Sequence, residues 1–318
     1  MKTTGDEPHI PGAPDRTTSA ETRLVWNPFL GEYTGFAPSR MQRRELTEDC
    51  PFCADLTDGH VPPGTEAWIR PNDFPALVPP AGECYVVIYS SEHERAFADL
   101  STADVSRIIG LWQELYRDLS RRYSAVMSWE TSGAEIGQTQ RHPHGQTFGV
   151  SVMPDYLARE LHAVHKALDA GEECPFCAEV RMELEGPRLV FSGDYWAGFV
   201  PPYARYPYQV RLTPRQHFSA VTGFANAGPV AAELAANLLR LVRAYDCLYN
   251  GQMPYMLALH QLADPEFHFH FEVLPVGRAP GKLKLAASSE MAWGFWMNDS
   301  LPEEKAAELR TMLEQVRL

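Results

Sequence analysis

Apolar residues recur at helical spacing in three stretches of the chain. In 105–119 they fall at i, i+3, i+4 and i+7, and the polar segment 101–104 before them supplies a capping start. The Ala-, Leu- and Val-rich stretch 229–245 repeats this pattern, and 302–316 shows it again near the C-terminus. The sequence therefore predicts two matching helices and a third, amphipathic helix that ends the chain.

Short β-branched or aromatic segments lie between these predicted helices. Segments 84–90, 208–212 and 255–260 have the length and composition of strands. Segment 267–271 alternates strictly between phenylalanine and histidine, which predicts both histidines on one face of a sheet and the phenylalanines on the other. Together with the helices, these strands predict an α+β fold with mostly antiparallel sheets.

The same landmarks occur twice, in the same order. Each copy has a Cys-Pro-Phe-Cys motif, then a single histidine at the same spacing, then a His-x-His. The members are Cys50, Cys53, His93, His142 and His144 in the first copy, and Cys174, Cys177, His217, His268 and His270 in the second. We therefore predict two similar halves, 23–153 and 154–318, after a leader (1–22) whose composition is typical of disorder.

Composition excludes several classes of protein. The 318 residues include 28 Lys and Arg against 41 Asp and Glu, and the net charge of −13 disfavours a nucleic acid or an anionic membrane as partner. No apolar run reaches the roughly 18 residues of a membrane helix, and the N-terminus has no signal-peptide centre. We therefore predict a cytoplasmic protein whose two Cys-x-x-Cys pairs are metal ligands or redox dithiols rather than disulfides.

The strongest chemical signal is His-Pro-His-Gly-Gln at 142–146. A neutral imidazole is a good nucleophile toward phosphorus when an acceptor on its other nitrogen fixes the tautomer. Gly145 lets a phosphate approach the backbone closely, and the amide of Gln146 can donate to a phosphoryl oxygen as charge develops. The motif therefore predicts nucleophilic attack on a phosphate.

With this motif, its Cys-x-x-Cys pairs and its duplicated organisation, the chain resembles the galactose-1-phosphate uridylyltransferases of the histidine-triad superfamily. The resemblance runs from residue 26 to the C-terminal helix and implies two fused histidine-triad-like halves. It implies a nucleotidyltransferase in which His144 attacks the α-phosphorus of a UDP-sugar such as UDP-glucose, assisted by Gln146. A covalent uridylyl-histidine would then pass UMP to a second sugar 1-phosphate in a ping-pong reaction.

The family's zinc and nucleotide positions are matched residue by residue. The resemblance implies a closed structural Zn²⁺ site formed by Cys50, Cys53, His93 and His142. It also implies that Phe52 packs the base, that Asn72 and Asp73 hold the ribose, and that Thr139 bonds a phosphate oxygen.

Four further matches concern the sugar 1-phosphate. The resemblance assigns its phosphate to Arg40 and Arg43, and its hexose to Lys284 and Glu290. In the family these residues come from the neighbouring subunit. The resemblance therefore implies a homodimer with shared active sites.

The second half offers two alternative metal sites. The repeat predicts a site of the same ligand types in the same order, formed by Cys174, Cys177, His217 and His268. Some family members instead use a glutamate and three histidines, which match Glu160, His260, His268 and His270. Both sets include His268 and cannot use it at once. We favour the cysteine-containing set, because thiolates bind zinc strongly and the spacing of the first set is repeated, and we keep the other as the alternative.

The sequence also departs from the family near the sugar. Leu285, Ser289 and Trp296 replace hexose-pocket residues, and Arg141 adds a charge where the family has proline. We therefore expect galactose 1-phosphate to be a poorer substrate than a modified sugar 1-phosphate or phosphate itself. The alternative functions are a nucleoside-diphosphate-sugar phosphorylase or adenylyltransferase of the same superfamily, and a non-catalytic zinc-stapled nucleotide-binding module.

Overall fold

An antiparallel sheet of nine strands runs through the computed structural model, which describes residues 22–42 and 50–316. A separate hairpin of β1 (Arg23–Asn27) and β2 (Glu32–Phe36) precedes it. The strands of the large sheet are β3 (Trp68–Pro71), β4 (Gly82–Ile88), β5 (Ala125–Ser132), β6 (His144–Val150), β7 (Leu189–Ser192), β8 (Trp196–Phe199), β9 (Val210–Pro214), β10 (Tyr255–His260) and β11 (His270–Pro275). A short hairpin of β12 (Gly277–Ala279) and β13 (Lys282–Leu283) follows.

The strand order shows how the two halves of the chain are joined. From edge to edge it is β3-β4-β6-β5-β10-β11-β9-β8-β7, and neighbouring strands are antiparallel throughout. The first four strands belong to the N-terminal half and the last five to the C-terminal half. They meet where β5 pairs with β10, with Leu257 opposite Glu130. The two halves therefore share one continuous sheet.

Seven α-helices are described: α1 (Pro51–Thr57), α2 (Thr102–Leu119), α3 (Asp155–Asp169), α4 (Pro175–Glu183), α5 (Pro229–Tyr249), α6 (Ser288–Trp293) and α7 (Pro302–Gln315). Local sequence sets the ends of the two longest. The Ser101 side chain accepts from the backbone N–H of Asp104, and the Asp104 carboxylate accepts from that of Ser101, which closes a capping box on α2. Proline opens α5, and Asn250 ends it in the left-handed region at φ 57°.

The two faces of the sheet carry different residues. Helices α2 and α5 cover one face, where Trp112, Tyr245 and Phe271 are fully buried in the main core. On the other face, Phe52 of α1 packs with Val86 of β4, and Phe148 of β6 belongs to the same apolar cluster as residues of α3. The side chains of the repeated histidine and cysteine motifs lie on this second face, so it is the one that carries the candidate chemistry.

The structure confirms most of the predicted elements. The stretches 105–119 and 229–245 lie within α2 and α5, and 302–316 corresponds to α7. Segment 255–260 is β10, while 84–90 and 208–212 overlap β4 and β9. The α+β prediction with antiparallel pairing is therefore correct.

The alternation predicted for 267–271 is only partly correct. β11 begins at His270, so the residues before it are not constrained to alternate between faces. Phe269 lies in the helix-side core, but Phe267 stacks on His270 at 6.1 Å between ring centroids, on the opposite side. The phenylalanines are thus divided between the two faces.

Two of the predictions about organisation remain predictions. The leader falls, up to residue 21, outside the described residues. The boundary after residue 153 falls between β6 and α3. Among the described helices, none combines the length and the apolar character needed to cross a membrane.

Candidate active site

His144 stands at the start of β6, on the face of the sheet that α2 and α5 leave free. Its Nδ1 atom lies 2.8 Å from the carbonyl oxygen of His142, so Nδ1 carries the proton and Nε2 has the lone pair. Strand alternation puts Gln146 on the same face, while Gly145 faces the helices. A Cβ at Gly145 would overlap the Tyr89 hydroxyl, so glycine is required here for packing against Tyr89 rather than, as the sequence suggested, for the approach of a phosphate.

The first of three cavities that His144 borders contains the residues predicted to hold the nucleotide. This Phe52 cavity, about 400 Å³, is also lined by Asn72 and Asp73. The rings of Phe52 and His144 are 5.1 Å apart between centroids. The amide nitrogen of Asn72 donates to Oε1 of Gln146 at 3.4 Å, which leaves the nitrogen of Gln146 as the donor for a ligand.

A smaller cavity contains the predicted phosphate contacts. The Arg40 cavity, about 210 Å³, brings Arg40, Thr139, His144 and Gln146 together within one chain, whereas the resemblance implied that Arg40 comes from the neighbouring subunit. Arg40 makes no ion pair with any described residue, so its charge is not neutralised there. Arg43, the second predicted phosphate-binding arginine, lies outside the described residues.

Arg70 was missed by the sequence analysis. It lines the Phe52 cavity and donates to Asp55 at 3.1 Å and to Asp73 at 2.6 Å. It thereby ties the predicted ribose-binding Asp73 to the buried Asp55 of α1. The sequence signal was its position directly before the Pro-Asn-Asp turn, but nothing in the sequence indicates these partners.

The first predicted metal set is assembled in the structure. The ligand atoms of Cys50, Cys53, His93 and His142 lie within 4.8 Å of one another. Cys53 Sγ is 3.4 Å from His93 Nδ1 and 3.6 Å from His142 Nδ1. A tetrahedral zinc with its usual bond lengths separates sulfur and nitrogen ligands by about 3.5 Å. His142 Nε2 also donates to the Ser90 carbonyl at 2.7 Å, as metal-bound histidines do.

The second cysteine set has the same geometry. Cys177 Sγ is 3.4 Å from Nδ1 of both His217 and His268, and Cys174 completes the group. His268 Nε2 faces the Pro214 carbonyl at 3.1 Å, in parallel with His142 in the first half. The ligand atom of His268 is therefore directed at the cysteines.

The alternative second set is brought together in the structure except for His268. Glu160, His260 and His270 form a separate group, and His268 is not a member of it. Glu160 lies 2.8 Å from His260 Nδ1 and 3.6 Å from His270 Nε2. The two sets therefore do not compete for His268, and they coexist side by side.

Charges around this three-residue group differ from those at His144. Burial opposes ionisation of Glu160, but His260 and His270 outweigh it and hold its pKa below the usual range. Burial and, to a smaller extent, the charge of Arg211 lower the pKa of His270.

The two halves differ at the second residue after the motif histidine. Gln146 follows His144 in the first half, and Glu272 follows His270 in the second, where its carboxylate pairs with Arg211 at 2.6 Å. The second half therefore lacks, at this position, the amide donor that Gln146 provides in the first.

The third cavity that His144 borders was not anticipated from the sequence. This Arg141 cavity, about 400 Å³, is lined by Arg141, Glu130, Gln138 and Glu135 among others. Glu130 is 5% exposed; Tyr255 donates to its Oε1 at 2.9 Å, and its Oε2 has no hydrogen-bond partner among the described residues. Burial raises the pKa of Glu130 to about 8, against the effect of the Tyr255 hydrogen bond.

We expect Glu130 to make the protein less stable as the pH rises. Its pKa is about 8 in the fold and 4.5 ordinarily. Between these values the folded chain keeps a proton that the unfolded chain has released, so the free energy of unfolding falls by up to about 1.4 kcal/mol per pH unit. Glu130→Gln should flatten this decline in urea unfolding measured from about pH 5 to about pH 8. An equally steep decline in the variant would contradict the assignment.

Lys284 and Glu290 are close to each other but line none of the three cavities at His144. Lys284 Nζ lies 3.5 Å from Glu290 Oε1 and donates to the carbonyl of Met297. Trp296, in the same segment, packs on Tyr206 of its own chain with ring centroids 5.7 Å apart. The predicted hexose-binding residues are thus assembled away from His144 of the same chain.

Two family models together match most of the chain. Residues 65–154 match the family model described as galactose-1-phosphate uridyl transferase, N-terminal domain, and residues 149–316 match that of the C-terminal domain.

Individual relatives agree with the family models. A galactose-1-phosphate uridylyltransferase of Streptomyces lividans is 32% identical over 79% of this chain and 73% of its own length. The Thermotoga maritima enzyme of the same name is 29% identical over 90% of this chain and 97% of its own length. A solved uridylyltransferase structure, 29% identical, superposes with a TM-score of 0.85 and covers 93% of this chain and 99% of that one.

Proposed function

The chain belongs to the galactose-1-phosphate uridylyltransferase family, and we propose on this basis that it transfers UMP between sugar 1-phosphates, with UDP-glucose as donor. The observation that carries the proposal is the pairing of His144 Nδ1 with the His142 carbonyl, which leaves Nε2 as the nucleophilic atom. A nucleophilic histidine requires such a fixed tautomer and access for its substrate, and His144 borders three cavities.

The reaction proceeds in two displacements at the α-phosphorus. His144 Nε2 attacks, the bond from phosphorus to the bridging oxygen breaks, and the sugar 1-phosphate leaves with the electron pair. The acceptor's phosphate oxygen then attacks the same phosphorus, and the phosphorus–nitrogen bond breaks. Gln146 donates its amide to a non-bridging oxygen in both steps, since its own oxygen is held by Asn72. Arg40 and Thr139 line the same cavity and stabilise the charge on these oxygens.

The Phe52 cavity holds the nucleoside. Phe52 gives an aromatic surface for the uracil ring, and Asn72 and Asp73 lie where they can accept from or donate to the ribose hydroxyls. Arg70 keeps Asp73 in place through its 2.6 Å contact.

The Cys50, Cys53, His93 and His142 group holds a structural zinc, and we assign a second one to Cys174, Cys177, His217 and His268. Their sulfur–nitrogen separations, 3.4–3.6 Å, support this assignment. A four-ligand zinc supplies rigidity rather than an open catalytic position. In the first half the zinc also holds the nucleophile in place, because His142 is a ligand and its carbonyl fixes the His144 tautomer. Glu160, His260 and His270 provide a further three-ligand site for a divalent metal.

The protein acts as a homodimer in the cytoplasm. Zinc bound through thiolates suits a reducing compartment, and the six cysteines are all free. A row of apolar side chains in the segment that carries Glu290 supports a partner surface: Met291, Trp293 and Phe295 are 74%, 84% and 65% exposed. Glu290 of one chain then reaches His144 of the other.

Mixing two inactive variants tests this shared site. His144→Asn and Glu290→Gln chains, unfolded together and refolded in equal amounts, should regain about a quarter of wild-type activity, because half of the dimers are mixed and each mixed dimer has one intact site. A matched control mixes wild type with the double variant. Activity no higher than the sum of the separate variants would show that each chain forms its own site.

The transfer itself is tested with substrates. UDP-glucose and galactose 1-phosphate should yield UDP-galactose and glucose 1-phosphate, and UDP-glucose alone should raise the mass of the intact protein by one UMP. Replacing galactose 1-phosphate by other sugar 1-phosphates or by phosphate identifies the preferred acceptor. A protein that never gains a nucleotide from any nucleotide sugar would rule the mechanism out.

A further inference from the structure

The short helix α1 connects the first zinc cluster with the nucleoside side of the active site. It has only 7 residues, and isolated helices shorter than about 12 residues are only marginally stable in water. It begins after Cys50, carries Cys53 in its first turn and buries Phe52 against the sheet. Because two of the four proposed zinc ligands lie at its start, the position of α1 depends on the metal cluster.

A buried carboxylate of α1 anchors Arg70 of β3. Asp55 lies two residues after Cys53 and is 8% exposed. Both of its oxygens accept from Nη1 of Arg70 at 3.1 Å, and the indole N–H of Trp68 donates to Oδ2 at 3.2 Å. Arg70 also donates to the Pro51 carbonyl at 3.3 Å. A shift of α1 would leave the charge of Asp55 buried without its cation, which is costly.

The other arm of the same guanidinium reaches the nucleoside side. Nη2 of Arg70 donates to Oδ1 of Asp73 at 2.6 Å, and no other described residue bonds this carboxylate, so Oδ2 is open to a ribose hydroxyl. The side chain of Asp73 is 49% exposed, so burial does little to hold it. One planar fork therefore spans from the zinc-bearing helix to the carboxylate proposed to hold the ribose.

We propose that Arg70 couples nucleotide binding to zinc binding at the first cluster. The zinc-binding cysteines fix α1, Asp55 of α1 fixes Arg70, and Arg70 presents Asp73 to the ribose. Nucleotide and zinc then strengthen each other's binding by the same factor, because coupling between two sites is reciprocal. The inference rests on the proposed function, since it takes the Phe52 cavity as the nucleoside site. Arg70 acts through Asp73 and is a positioning residue.

Equilibrium competition for zinc with a chelator tests the coupling without turnover. Saturating UMP should lower the Kd for zinc at the first cluster of the wild-type protein by about 10-fold, a factor within the usual range for coupled sites. The Kd at the second cluster should not respond to UMP. Cys177→Ser, which removes the second site, identifies the signal that belongs to the first.

Arg70→Lys breaks the proposed link with the smallest change. Lysine keeps a charge beside buried Asp55, but its one nitrogen cannot hold two carboxylates as the guanidinium does. The effect of UMP on zinc affinity should shrink to less than about 2-fold. The loss in transfer should appear in the KM for UDP-glucose rather than in kcat, because His144 and Gln146 are intact.

Arg188→Lys is the matched control. Arg188 also joins two carboxylates, Glu183 at 2.5 Å and Glu303 at 2.8 Å, but it lines neither the Phe52 cavity nor the first zinc cluster. This variant should keep the full effect of UMP on zinc affinity.

Three results would overturn the proposal. These are a zinc Kd that bound UMP leaves unchanged in wild type, an effect of UMP that persists in Arg70→Lys, and an equal loss of the effect in Arg188→Lys. If Arg70→Lys does not fold, Asp73→Ala decides, because it leaves Arg70 on Asp55 and removes only the last link. Saturating UMP must then have no effect on zinc affinity, and a remaining effect refutes the role of Arg70.

The outcome is separable from that of the transfer reaction. Uridylylation of His144 in a protein whose zinc affinity ignores bound UMP refutes this inference alone. Coupling through Arg70 in a protein that never accepts a uridylyl group refutes the transfer reaction alone. A protein that does not bind UMP would contradict both.

Discussion

Replacing His144 with asparagine should lower uridylyl transfer by on the order of 10⁴-fold or more, because the variant lacks the proposed nucleophile. Asparagine is similar in size to imidazole and keeps a polar group beside the His142 carbonyl, so the fold should persist. Wild-type protein incubated with UDP-glucose should gain the mass of one UMP, and the variant should gain none. Product formation from UDP-glucose and galactose 1-phosphate measures the rate.

Gln146→Ala is the matched partner of this experiment. Its nucleophile is intact, so the uridylylated protein should still form, but both displacements should slow by on the order of 10²- to 10³-fold through loss of one charge-stabilising donor. The two variants therefore separate loss of the covalent step from loss of its stabilisation. If the His144→Asn variant transferred UMP at the wild-type rate without forming protein-bound UMP, UMP would have to pass directly between the two sugar phosphates.

Removal of the first zinc should be the second large effect. Cys53→Ser should lose one zinc per chain, and structural zinc sites contribute on the order of 10 kcal/mol to the folds that bind them. Transfer should fall with it, because His142 is both a proposed zinc ligand and the residue whose carbonyl accepts from His144 at 2.8 Å. Metal analysis, thermal unfolding and the rate of uridylylation are measured on the same preparation.

Cys177→Ser provides the matched control in the second half. It should also lose one zinc and some thermal stability, but the folded fraction should retain most of its uridylylation rate, because its cluster is next to His270 rather than His144. Equal losses of rate in the two variants would show that zinc acts through global stability alone. An unchanged zinc content in Cys53→Ser would contradict the assignment of the first site.

Short-range patterns were enough to predict much of this molecule. The repeated Cys-Pro-Phe-Cys and His-x-His motifs predicted the ligand sets, and the helical spacing in 105–119 predicted α2. What the sequence could not settle depended on distances between residues far apart in the chain. The sequence allowed His268 to belong to either of two ligand sets. In the structure its Nδ1 lies 3.4 Å from Cys177 Sγ, which places it with the cysteines.

Glu130 and Arg70 could not be recognised from the sequence for the same reason. Glu130 is one of many glutamates in the chain, and its raised pKa arises from burial between β6 and β10 in the assembled sheet. Arg70 gains its role only when α1 brings Asp55 to it. In both cases tertiary burial, rather than local pattern, sets the chemistry of the side chain.

The pairing of β5 with β10 has a consequence for synthesis on the ribosome. Strand β10 leaves the ribosome more than a hundred residues after β5, so a nascent N-terminal half exposes the whole of β5 as an open edge while the rest of the chain is translated. Such an edge can pair with the β5 of a neighbouring nascent chain on the same messenger. Slow translation of 154–260 would therefore favour strand-swapped or aggregated products over the pairing of β5 with β10 of the same chain.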